Sequence, residues 1–83
     1  MSNGTNVDWL RFRASSVRRS EPQLADDLEA VALILSNPLS QRDPTIIPEL
    51  MQRLKERAER AVDSGLKGDL DRARESLREI WSS

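Results

Sequence analysis

Three groups of carboxylates, Asp26/Asp27/Glu29, Asp69/Asp71 and Glu75/Glu79, have the residue types for acid–base chemistry or for holding a hard cation. Their surroundings argue for simpler roles. A calcium-binding loop needs oxygen ligands at close, regular intervals, and "DSGLKGDLD" has too few of them at the wrong spacing. Asp69, just after Gly68, reads as a helix cap, and Glu75 and Glu79 read as a solvated face among arginines. The chain has no histidine and no cysteine. That removes the usual general base, the commonest transition-metal ligand, the thiolate nucleophile and any disulfide. No Gly-rich phosphate loop and no nucleophile–base arrangement is present. The expectation is a non-enzymatic protein with no cofactor, no metal site and no small-molecule substrate.

Binding chemistry is more concentrated. The stretch "VDWLRFRASSVRR", residues 7–19, contains Trp9 and Phe12, two of the three aromatic residues, and Arg11, Arg13, Arg18 and Arg19. Residues 1–20 carry four arginines against one aspartate, a local charge of +3, although the whole chain is at −1. Such polarity suits nucleic acid, an acidic partner, or the protein's own acidic helix. In "LRFRA", Leu10, Phe12 and Ala14 alternate with Arg11 and Arg13, the period-two pattern of a strand. A basic strand followed by two helices resembles the ribbon-helix-helix family, and the likeness covers about a third of the chain. It would imply a dimer whose paired strands insert Arg11 and Arg13 into the DNA major groove, with Leu10 and Phe12 facing the core. The proline-bounded "NPLSQRDP" stands where that family has a Gly-containing turn.

Read as a helix, the same segment gathers Trp9, Leu10, Ala14 and Val17 into one arc with Phe12 at its edge. Arg13 falls inside that arc, which spoils a membrane-binding face. On this reading Trp9 and Phe12 close the end of a small core. Arg13 lays its stem over Trp9 and reaches toward Asp26, Asp27 or Glu29.

A second candidate surface is "AVALIL", residues 30–35. Leu24, Leu28, Val31 and Leu35 already form one helical face, so Leu33 and Ile34 point elsewhere. Either this helix packs on two sides or the pair forms a patch for a partner. The candidate partner-binding residues are therefore Trp9, Arg11, Phe12, Arg13, Leu33 and Ile34. The expected partner is another protein or a second copy of the chain. Nucleic acid bound by the basic N-terminal segment is the alternative.

The elements that would position these residues are helical. Eighty-three residues suffice for one small domain. Residues 1–4 read as a flexible polar tail and 5–83 as a single domain. Thr5 and Asp8 have capping-box spacing before a first helix over 6–19. Ser20, Pro22 and Gln23 mark a second helix that stops at "SNP", residues 36–38. Thr45 caps a third helix with the stripe Ile47, Leu50, Met51, Leu54, Ala58, Ala61 and Val62, and with outer pairs Glu49–Arg53 and Glu56–Arg60. Gly65 would end that helix, and Asp69 would start a fourth with the stripe Leu70, Ala73, Leu77, Ile80 and Trp81. The segment from Ala58 to Trp81 is similar to a single tetratricopeptide-repeat hairpin at Ala61, Gly68, Ala73 and Leu77. The family's aromatic positions are Arg57 and Ser64 here, and no second copy follows. The likeness implies a tightly packed hairpin.

The fold expected is all-α, a small three- to four-helix bundle with a C-terminal antiparallel helical hairpin. The longest apolar run is far short of a membrane span, and the N-terminus has no signal-peptide pattern. A cytoplasmic protein that does not engage a membrane is the expectation.

Overall fold

The structure, a computed structural model, describes residues 7–36 and 45–82. Four α-helices account for all the regular structure among them: α1 (Asp8–Val17), α2 (Pro22–Ser36), α3 (Ile46–Glu59) and α4 (Ser64–Ser82). The all-α expectation holds. Contacts gather into two compact units, Met1–Arg42 and Asp43–Ser83. α1 packs on α2 in the first, and α3 on α4 in the second. The expected tail at 1–4, the Thr5 cap and the loop at 37–44 lie outside the described residues.

In the first unit, "LRFRA" is helix and the strand alternative is overturned. The reason lies in the spacing. Leu10 and Ala14 are one turn apart and share a face with Val17, and all three are buried. Phe12 lies midway between Leu10 and Ala14, so helical geometry turns it about 200° from Leu10 and away from the core. α1 has Val7 at its N-cap without a side-chain cap bond.

The link to α2 is tight. Ser20 does not cap α2. Its Oγ donates back to the Val17 carbonyl at 3.4 Å, beside the Glu21 N–H donating to the same carbonyl at 2.7 Å. Pro22 occupies the first helical position, where its missing N–H costs nothing. Gln23 does not reach back either, and its Nε2 donates forward to Asp27 Oδ1 at 3.2 Å. Burial runs round most of α2, taking in Leu24, Ala25, Leu28, Val31, Ala32, Ile34 and Leu35.

In the second unit, α3 buries Ile47, Leu50, Leu54 and Ala58, while Leu66, Leu70, Ala73 and Leu77 of α4 are buried in turn. Met51 is half-buried. The four-residue link 60–63 makes α3 and α4 an antiparallel hairpin, one turn earlier in sequence than the glycines suggest. Gly65 is not a C-terminal cap. It lies in the first turn of α4, and no glycine among the described residues has a positive φ. Asp63 takes the capping role assigned to Asp69, accepting the Gly65 N–H on Oδ1 at 2.9 Å. Asp69 is half-buried inside α4. Val62, expected on the α3 stripe, lies in the link and is fully exposed. Thr45 stands at the N-cap of α3 without a side-chain cap bond. The pair Glu49–Arg53 forms. Glu56 instead accepts from Gln52 Nε2 at 3.0 Å, because Arg60 has left the helix.

Candidate functional site

The outer face of the α1–α2 hairpin brings together part of the expected surface. Phe12 stands opposite the buried Leu10–Ala14–Val17 face and is 75% exposed. It does not close the core as expected, since the helical period places it on the solvent side. Leu33 is its counterpart on α2. It shares a stripe with Asp26, Glu29 and Ala30, at spacings of three, one and three, and is 56% exposed. An open groove between the helices is lined by Arg11, Asp26, Glu29, Ala30 and Leu33. Arg11 lines this groove together with Leu33, whereas Phe12, its neighbour in sequence, is not among the groove's lining residues.

The other expected residues fall elsewhere. Ile34 is 4% exposed and belongs to the core. It is one residue beyond Leu33, and a 100° step carries it from the outer stripe to the buried side. Trp9 and Arg13, one turn apart on a flank of α1, are half-buried, and neither lacks an interaction partner. The acids expected to receive Arg13 include two that are occupied by Arg18. Its guanidinium bonds Glu29 through Nη2 and lies 3.5 Å from Asp26 Oδ1 through Nη1. The hydrogen bond to Glu29, together with its charge, raises the Arg18 pKa, and Asp26 adds to the effect. Arg18 thus spans from the end of α1 to the first half of α2, and it removes part of the positive charge that the sequence shows at the N-terminus.

Arg11 and Arg19 differ from it. Both are exposed, and neither side chain makes a hydrogen bond or ion pair with another described residue. Arg19 lies in the turn that follows α1, beyond the last residue of the helix. Sequence reasoning missed Ala30 and the acids Asp26 and Glu29 as groove residues. Their spacing from Leu33 could have found them.

The remaining carboxylates are structural or solvated. Asp27 is buried beneath Gln23. Asp71 accepts Lys67 at 3.2 Å and lies 3.6 Å from Arg74, while Glu75 and Glu79 are exposed on α4. No cluster of three possible metal ligands occurs among the described residues. None of the described helices is long and apolar enough to cross a membrane.

Comparison with known protein families, with curated proteins and with solved structures finds no match for this chain.

Proposed function

We propose that the chain is a non-enzymatic interaction module that binds another protein through the outer face of α1 and α2. The observation that carries this reading is the exposure of Leu33 in a groove shared with Arg11, together with the exposure of Phe12 on the same helix as that arginine. A single exposed apolar residue is ordinary on any protein surface. Leu33 and an exposed arginine at one open groove, with Phe12 exposed on α1, supply the aliphatic, guanidinium and aromatic side chains favoured at the centre of protein interfaces. A chain without cysteine or histidine lacks the commonest nucleophile–base pairs, in keeping with a binding role. The absence of cysteine also suits a cytoplasmic setting, since no disulfide calls for an oxidising compartment. The alternative partner is nucleic acid. Arg11 and Arg19 would serve it, but Arg18 is engaged by two acids, and both acids also line the groove.

The test uses a photo-reactive benzoylphenylalanine in place of Phe12 in the full chain, expressed in its own cells. The expected result is a discrete protein adduct that disappears with Leu33→Asp, a change at an exposed position that leaves helix content intact. Ile34→Asp is the contrasting control, because a carboxylate placed in the core unfolds the unit. Adducts to nucleic acid alone, or an adduct indifferent to Leu33→Asp in folded protein, would refute the proposal.

A further inference from the structure

We draw no further inference here: the strongest candidate, the apolar surface patch at the end of the α3–α4 hairpin where α3 begins and α4 ends, with Ile46 and Trp81 exposed, carries nothing because nothing in the structure shows what covers it.

Discussion

Phe12 and Leu10 are two residues apart on α1, and their truncations should separate binding from stability. Leu10 is wholly buried, so Leu10→Ala removes buried methylenes and leaves a cavity, at a cost of about 2–5 kcal/mol. Phe12 is 75% exposed, leaving a quarter of its area out of water. A quarter of the roughly 200 Å² that a phenylalanine can bury is about 50 Å². At about 25 cal/mol per Å² this contributes about 1 kcal/mol at most. Alanine returns several tenths of that, because it forms helix more readily than phenylalanine. Phe12→Ala should therefore cost well under about 1 kcal/mol, within the range of ordinary surface substitutions. The assay is urea unfolding followed by Trp9 fluorescence in a Trp81→Phe background, so that the signal comes from the first unit alone. A Phe12→Ala midpoint shift as large as that of Leu10→Ala would refute the reasoning. It would mean that Phe12 is held in a core and that the partner surface lies elsewhere.

Gly68 lies inside α4, and a Cβ built there meets nothing within 4 Å. Gly68→Ala should raise the stability of the second unit by about 0.5–1 kcal/mol, read as a higher unfolding midpoint by Trp81 fluorescence. Asp63→Ala removes the acceptor for the Gly65 N–H and should cost about 0.5–2 kcal/mol, whereas Asp63→Asn should retain most of the cap. The raised pKa of Arg18 fixes the sign of its pH effect. Its contribution is fully present below the ordinary guanidinium value and is lost only as pH rises through the higher folded value. Unfolding midpoints of Arg18→Met and the parent chain should therefore keep a constant separation across neutral and moderately alkaline pH. A separation that closes on the alkaline side of neutrality would show that another group carries the effect.

The helical stripes were legible because they depend on nearest-turn spacing alone. Ile47–Leu50–Leu54–Ala58 and Leu70–Ala73–Leu77 are both read from sequence and found buried. Boundaries were less legible, because caps compete locally. "DSGLKGD" contains two glycines, either of which could stop a helix, and three acid or hydroxyl groups, any of which could start one. The hairpin closes one turn earlier than the glycines suggest because Asp63 captures the Gly65 N–H. Nor could sequence tell which arginine the α2 acids receive. Arg13 is closer to Trp9, but Arg18 stands at the tight link, where the chain turns back and brings α2 within reach.

The alternation in "LRFRA" has a physical meaning beyond the strand it imitates. A helix whose only duty is to close a core keeps apolar residues at three- and four-residue steps, as Leu10, Ala14 and Val17 do. Phe12 breaks that period, and it is the same residue that makes the segment look like a strand. At a solvent-facing helix position a polar side chain would serve stability equally well, because a quarter-buried phenylalanine adds little. The position also forgoes the helix preference that alanine would bring. Arg11 follows the buried Leu10 and precedes Phe12 in sequence, and Leu33, the matching interruption on α2, shares a groove with that arginine. Two departures from helical patterning thus stand on two helices that pack together. Core packing accounts for neither of them, and the proposed contact with a partner would account for both.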